Sequence, residues 1–365
     1  MDAYRAPAWL PGGQAQTIYA ALAAPRPRIS YRRERWDTPD GDFIDLDWVV
    51  KPAPAARRFY LTFQSEWMGR APGDKNTPDV GRYEARTTPL VVMFHGLEGS
   101  SRSHYARALM HAVAARGWRG VVVHFRGCSG ELNRLPRAYH SGDSTEIDWI
   151  LRRLKRDRPA APLFAIGVSL GGNALLKWLG EQRDAAPAVV GGVATVSAPV
   201  DLTAAGNALD HGFNLIYVQH FLATMKRKSL AKLERFPGLL DRKSVCAART
   251  LREFDDAVTA PLHGFKDTDD YWMRASAKPL LGQIRVPTLM VNARNDPFLP
   301  RHALPQPHEV SQHVAVEFPA AGGHAGFVGG AFPGNLDWLP RRVLEFFGAS
   351  GETPQNTFET ADECE

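Results

Sequence analysis

Apolar residues follow two rhythms along this chain. Tyr31 to Trp36 and Phe43 to Val50 read as strands joined by Thr38-Pro-Asp-Gly-Asp42, a run of turn residues. In the second strand Phe43, Asp45 and Asp47 alternate with Ile44, Leu46 and Trp48, so one face is apolar. Further on the alternation gives way to short, mostly apolar runs of the kind buried on both faces: Leu90 to Phe94, Gly120 to Phe125, Phe164 to Val168, Val189 to Val196, Val286 to Asn292 and His313 to Phe318. Helical periods separate them. One helix is expected over Tyr105 to Arg116. A second, capped by Asp143 or Ser144, sets Ile147, Ile150, Leu151 and Leu154 on one face. A third covers Ala174 to Leu179, and Trp338 to Phe347 closes the series. A short helix is also expected in the first 28 residues. Strands separated by helices predict an α/β fold with a mostly parallel sheet and helices on both faces.

Three stretches break the pattern. Residues 64–87 are polar and glycine-bearing and read as a surface insertion. Residues 203–280 are a helical block between two strands, which reads as a cap over the sheet's carboxyl edge. In it Phe213, Ile216, Tyr217, His220, Phe221 and Met225 form an apolar stripe, followed by Lys226, Arg227, Lys228, Lys232 and Arg235. The stripe is open to two readings, core packing or an acyl pocket lined by Phe213, Tyr217, Phe221 and Met225. Residues 349–365 are polar and acidic and are expected to be a disordered tail. Residues 1–348 are then expected to form a single domain.

Composition narrows the classes. An apolar fraction of 44% and a charged fraction of 23% are those of a globular protein with a real core. No apolar run reaches the roughly 18 residues of a membrane span, and no basic-then-apolar leader opens the chain. Cys128, Cys246 and Cys364 are too scattered for a disulfide framework or a zinc site, and a cytoplasmic location is the expectation. Net charge is +5, but five acids and no base lie from Ala349 onward, so the rest carries +10. That balance reads as a solvated basic surface rather than a nucleic-acid site; weak contact of the basic segment with a membrane surface stays open.

The chemistry centres on Gly167-Val-Ser-Leu-Gly171, between an apolar run and a helix. A serine on so tight a strand-to-helix turn is pushed above the sheet, and glycines flank it because a Cβ there would clash. Serine is a poor nucleophile alone; it needs a positioned base, and the base needs an orienting carboxylate. Ser169, Asp296 and His324 each follow the end of an expected buried strand, and in a parallel sheet those ends share one edge. Their order, Ser then Asp then His, is that of the α/β-hydrolase fold. Asp201 is a rival for the acid. His140 and His263 read as structural, Glu98 as a loop ion pair or cap, and Cys128 as a bystander. An oxyanion hole needs two preorganised N–H donors, expected from the backbones of Leu170 and Leu97.

With these motifs in hand, the chain resembles the YheT-like α/β-hydrolases, related to the ABHD-type lipid esterases of animals and plants. The resemblance covers most of residues 7–347. It rests on Trp9-Leu10 with Gln16-Thr17, His95-Gly-Leu-Glu-Gly-Ser100, His124-Phe-Arg-Gly-Cys-Ser-Gly130 with Asn133-Arg134, and Tyr139-His-Ser-Gly142. It continues through Gly167-Val-Ser-Leu-Gly-Gly-Asn173, Phe254-Asp-Asp256 with Thr259-Ala-Pro261, Asn295-Asp-Pro297 and Gly323-His324. Gln14 departs from the group, which usually has histidine there, and residues 64–87 are longer than its usual connection. The resemblance implies hydrolysis of short- to medium-chain acyl esters or acylglycerol-type lipids, with Ser169, Asp296 and His324 matching the triad and no cofactor or metal. A thioesterase or acyltransferase would use the same triad, and a non-catalytic binding protein on this fold is the alternative from another class.

Overall fold

The computed structural model describes residues 3–50 and 87–351. Most of the expected surface insertion and all of the tail after residue 351 lie outside the described residues.

A short helix, α1 (Gly13–Leu22), precedes the antiparallel pair β1 (Ser30–Asp37) and β2 (Phe43–Val50). The parallel series follows: β3 (Leu90–Phe94), α2 (His104–Ala115), β4 (Arg119–His124), α3 (Ser144–Asp157), β5 (Leu163–Val168), α4 (Leu170–Gln182) and β6 (Gly192–Val196). Among the described residues the sheet has eight strands in the order β1-β2-β4-β3-β5-β6-β7-β8, and only the contacts of β1 with β2 and of β2 with β4 are antiparallel. Every residue of β3, β5 and β6 is buried, as expected where helices cover both faces. Side chains divide by period two. Leu90, Val92 and Phe94 join the core under α3 and α4, while Val91 and Met93 join the core under α2 and the closing helix.

Between β6 and β7 lies the helical block: α5 (Leu202–Leu209), α6 (Leu215–Arg235), α7 (Arg242–Ala247), α8 (Leu251–Phe254), a π-helical turn (Asp255–Thr259), α9 (Ala260–His263) and α10 (Thr268–Ala275). The block breaks into short helices because the sequence restarts it repeatedly. Asp201, Asp241, Thr250 and Asp267 each accept a hydrogen bond from the first backbone N–H groups of the helix they precede. Its own core, with Val218, Leu222, Val245, Phe254 and Trp272, is separate from the sheet's. Asn173 of α4 anchors it: its Nδ2 donates to the carbonyls of Ser141 and Ala275, and its Oδ1 accepts from Ala277 N–H. The chain then forms β7 (Thr288–Val291), β8 (Val314–Glu317) and α11 (Trp338–Gly351).

Several boundaries differ from the sequence expectation. Val189 and Val190 are apolar because they are buried core, but the chain there follows a 3-10 turn at Arg183–Ala188, and pairing starts only at Gly192. β7 and β8 are shorter than their apolar runs. α11 continues to Gly351, past the expected start of the tail.

Candidate active site

Ser169 sits between β5 and α4 with φ 52° and ψ −122°, a conformation that costs a non-glycine residue energy and is found where it is held from all sides. The holding is visible. Ser169 N–H donates to Val196 O at 2.8 Å, while its own carbonyl accepts from Gly172 and Asn173 N–H as α4 begins. The glycines are forced: a Cβ on Gly171 would lie 2.5 Å from Phe94 O, and one on Gly167 would lie 2.6 Å from Gly172 Cα.

Asp296 follows β7 and His324 follows β8. Asp296 Oδ2 accepts from His324 Nδ1 at 2.9 Å, and Oδ1 accepts from Phe298 N–H at 2.8 Å. With Nδ1–H donated to the carboxylate, Nε2 is left as the basic nitrogen of the ring. The Phe298 ring lies over the imidazole, centroids 4.2 Å apart. Asp201, the rival acid, instead caps α5 through Ala204 N–H at 3.0 Å. Ser169 and His324 line one cavity of about 100 Å³, together with Leu97, Leu170, Met225, Asp255, Trp272, Phe298 and others.

The loop after β3 is built so that one amide stays free. Gly96 N–H donates to Tyr105 OH at 2.9 Å, and Glu98 N–H donates to Tyr139 OH at 2.9 Å. Among the described residues, neither the Leu97 N–H between them nor the Leu170 N–H at the start of α4 has a protein acceptor. His95 fixes the other side. Phe125 N–H donates to its Nε2, so Nδ1 carries the proton and donates to Gly96 O at 2.8 Å. Burial holds this imidazole neutral, its pKa lowered to about 3. Glu98, with φ 54°, accepts from Tyr139 OH and from Lys228 Nζ of α6, the loop ion pair read from the sequence.

The histidine loop is held by α1. Gln16 Oε1 accepts from Gly322 N–H and Asn295 Nδ2, Thr17 Oγ1 accepts from His324 N–H, and Asn295 Oδ1 accepts from Gly323 N–H. Gln14 reaches the cap instead, donating to Asn214 Oδ1 and accepting from Tyr217 OH. The roles of Gln16, Thr17, Tyr105 and Tyr139 are not readable from sequence spacing; the Gln-Thr pair and the aromatic after Ser103-His104 were the signals available.

The stripe on α6 is placed differently from the expectation. Its buried face runs through Val218, Leu222, Ser229, Lys232 and Leu233, one helical face over. Met225 lines the cavity over Ser169. Tyr217 and Phe221 do not line it; they pack behind its wall with Phe298 and Leu299, and the Tyr217 hydroxyl is taken by Gln14. Phe213 is exposed and makes no part of that wall. The apolar lining comes instead from Leu202, Ala205, Leu209, Leu251 and Trp272, short helices whose packing no single period announces. His140 and His263 pair ring to ring at 4.5 Å, and burial lowers both pKa values to about 3.

A family model for the alpha/beta hydrolase fold matches residues 89–331. The chain belongs to the α/β-hydrolase family. Within it, the chain is 37% identical over 333 residues to YheT of Escherichia coli (strain K12), named an esterase, covering 91% of this chain and 88% of that one. It is 29% identical to the phospholipase ABHD3 of Mus musculus, over 96% of this chain and 79% of the relative. It is 28% identical to the monoacylglycerol lipase of Saccharomyces cerevisiae, over 74% and 64%. Among solved structures, Est1E from Butyrivibrio proteoclasticus with ferulic acid bound aligns with a TM-score of 0.51 at 14% identity, over 87% of this chain and 98% of that one, a likeness of fold. These YheT-like relatives agree with the resemblance carried by the sequence motifs. No helix among the described residues is long and apolar enough to cross a membrane.

Proposed function

We propose that this α/β hydrolase cleaves carboxylic esters through Ser169 as nucleophile, His324 as base and Asp296 as orienting acid. The chain is a carboxylic ester hydrolase by family, and the observation that carries the triad is the strained Ser169 sharing a cavity with a His324 whose Nδ1 is tied to Asp296. Ser169 Oγ attacks the ester carbonyl as His324 Nε2 takes its proton. The carbonyl oxygen becomes an oxyanion, met by the free N–H groups of Leu97 and Leu170. His324 returns the proton to the leaving alkoxide, and the acyl group stays on Ser169. Water, deprotonated by the same imidazole, then releases the acid and regenerates the serine.

The substrates are short- to medium-chain acyl esters or acylglycerol-type lipids. A second lobe of about 80 Å³ adjoins the first, and the two share Leu97, Leu170, Met225, Asp255 and Tyr271. An apolar cavity of about 150 Å³ accepts benzene, so the paired lobes suit a modest acyl group rather than a long one. The esterase, phospholipase and lipase names of the relatives agree on acyl-ester chemistry. A panel of p-nitrophenyl esters of rising chain length tests this reading, read as kcat/KM and as a burst of p-nitrophenol from the acylation step. Turnover by wild type that vanishes in Ser169→Ala supports it. Turnover that survives the substitution overturns the nucleophile.

A further inference from the structure

The second lobe ends in charge, and one of its charges has no counter-ion. Lys232 on α6 lines this lobe and is only 6% exposed. Lysines that deeply buried are almost always paired with a carboxylate, because an isolated ammonium is expensive to remove from water. Here the ammonium donates to the backbone carbonyls of Pro136, at 2.8 Å, and Arg137. Among the described residues no carboxylate lies within ion-pair distance of it, and its third N–H has no acceptor. Asp42, the acid whose field reaches Lys232, is already taken by Arg126, Asn133 Nδ2 and the Phe43 and Arg134 amides. Three positive charges, Arg126, Lys228 and Arg235, also act on it. Lys228 is neutralised by Glu98 at 2.7 Å, and Arg126 by Asp40, Asp42 and Glu146. Burial lowers the Lys232 pKa to about 8, consistent with a cation left short of a partner.

We propose that Lys232 forms an anion subsite in the second lobe, taking a carboxylate or phosphate borne by the ester substrate while its scissile carbonyl lies at Ser169. The proposal rests on the esterase reading, because it places the anion on the same molecule that Ser169 attacks. The remaining lobe surface suits such a substrate. Leu132, Leu240, Val258 and Leu262 give the lobe an apolar wall, and its two acids are already engaged, Glu98 by Lys228 and Asp255 by Thr259 Oγ1 and Trp272 Nε1. One N–H of the ammonium then gains a charged acceptor in a low-dielectric setting, where such a bond is strongest.

Two substrate series test it. Mono-p-nitrophenyl esters of straight-chain dicarboxylic acids are compared with the matched monocarboxylic esters, which puts the anion on the acyl side. Acylglycerol phosphates are compared with the corresponding acylglycerols, which puts it on the alcohol side. In one series the anionic member should be favoured in kcat/KM by roughly tenfold or more at its best length. Lys232→Met should erase that preference while sparing the neutral partner, and Lys232→Arg should retain part of it. The wild-type comparison needs no variant, so the idea stands or falls even if Lys232→Met folds poorly. Neutral substrates preferred in both series, or an anion preference that survives Lys232→Met, would overturn the proposal. A lowered melting temperature with an unchanged ratio would assign Lys232 to tying the 136–137 loop, again against it. Ser169→Ala run alongside keeps the two readings apart, since loss of all turnover there upholds the esterase whatever the ratio shows.

Discussion

Among the described residues two aspartate–histidine pairs sit at this sheet, and their surroundings differ. At the carboxyl edge, His324 donates Nδ1–H to Asp296 and lines the cavity that Ser169 also lines. On β2 and β4, Asp47 Oδ2 lies 2.8 Å from His124 Nε2, and a serine is present here too. That serine, Ser101, donates to the same Asp47 oxygen at 2.6 Å, so the histidine does not stand between serine and acid. Arg33 adds two further bonds to Asp47, and His124 is buried. Burial would raise the Asp47 pKa, but hydrogen bonds from His124, Arg33 and Ser101 overcome it and hold the carboxyl far below its ordinary value. The residue types match; the order of contacts and the absence of these residues from the cavity wall separate this internal tie from the proposed triad.

The serines give the largest contrast. Ser169→Ala should lower ester turnover on the order of a millionfold and abolish labelling by a fluorophosphonate, with melting temperature nearly unchanged. Ser101→Ala should keep full labelling and turnover, and lose about 1 kcal/mol of stability in denaturant titration. Labelling that persists in Ser169→Ala and disappears in Ser101→Ala would exchange the two sites.

The carboxylates should separate in kind as well as in size. Asp296→Asn leaves His324 in the wrong tautomer, and kcat should fall by about ten-thousandfold in a protein that still folds. Asp201→Asn should cost little activity, since that side chain only caps α5. Asp47→Asn should act on stability instead, by about 3 kcal/mol, because it removes the carboxylate charge that Arg33 faces and turns one of the two acceptor oxygens into an N–H donor. Asp47 also carries a pH signature. Its folded pKa lies below its unfolded one, so its contribution is fully present above the ordinary aspartate pKa and drains away as pH falls below it. Melting temperature against pH should therefore drop on the acid side for wild type, and the Asp47→Asn curve should be flatter there. A steep activity loss in Asp47→Asn at unchanged stability would sink the distinction.

The place of the candidate residues on one sheet edge was legible in sequence for a local reason, and their surroundings were not. Glycines that cannot bear a Cβ, and residues that follow apolar strands, are written in adjacent positions, so Ser169, Asp296 and His324 could be placed on one edge. The α4 glycines and the apolar runs of β3 to β6 carry most of the fold in the same way. Gln16 and Thr17 hold the histidine loop across some three hundred residues, and no spacing encodes such a contact. The cap stripe failed for a related reason. A period of 3.6 shows that α6 has an apolar side, but which part of it faces the cavity is set by α5, α8 and α10 packing beside it. Phe213 is apolar and nonetheless exposed, and Lys232 is charged and nonetheless buried.

A smaller effect should come from Tyr139, which fixes the loop after β3 that carries the proposed oxyanion donor Leu97. Tyr139→Phe frees the Glu98 amide and loosens the Leu97 N–H beside it. The expected loss is on the order of tenfold in kcat with KM little changed, short of the hundredfold or more that follows loss of a direct donor. Affinity for a trifluoromethyl ketone, which binds as the tetrahedral adduct, should fall in step. A change in KM alone would mean that Tyr139 shapes the pocket rather than the oxyanion hole.

The smallest effect separates the pairs by what lies above them. The cavity at the His324 pair has a roof, and Met225 is part of it, lining both lobes. Methionine is unbranched and fills irregular gaps, so its removal enlarges the space without necessarily collapsing the block around it. Each methylene an acyl chain can newly bury there contributes about 0.8 kcal/mol, roughly fourfold in kcat/KM. Met225→Ala should therefore move the preferred p-nitrophenyl ester to a longer chain, with the former best substrate losing a few-fold. Phe221→Ala, behind the wall, should lower the melting temperature more than it shifts the profile. Phe213→Ala, out in solvent, should do neither. Chain-length profiles and melting curves on the same three variants decide it. A profile that moves with Phe213 but not with Met225 would mean that the acyl chain lies on the outer face of α6, and the two lobes would then not be where the ester binds.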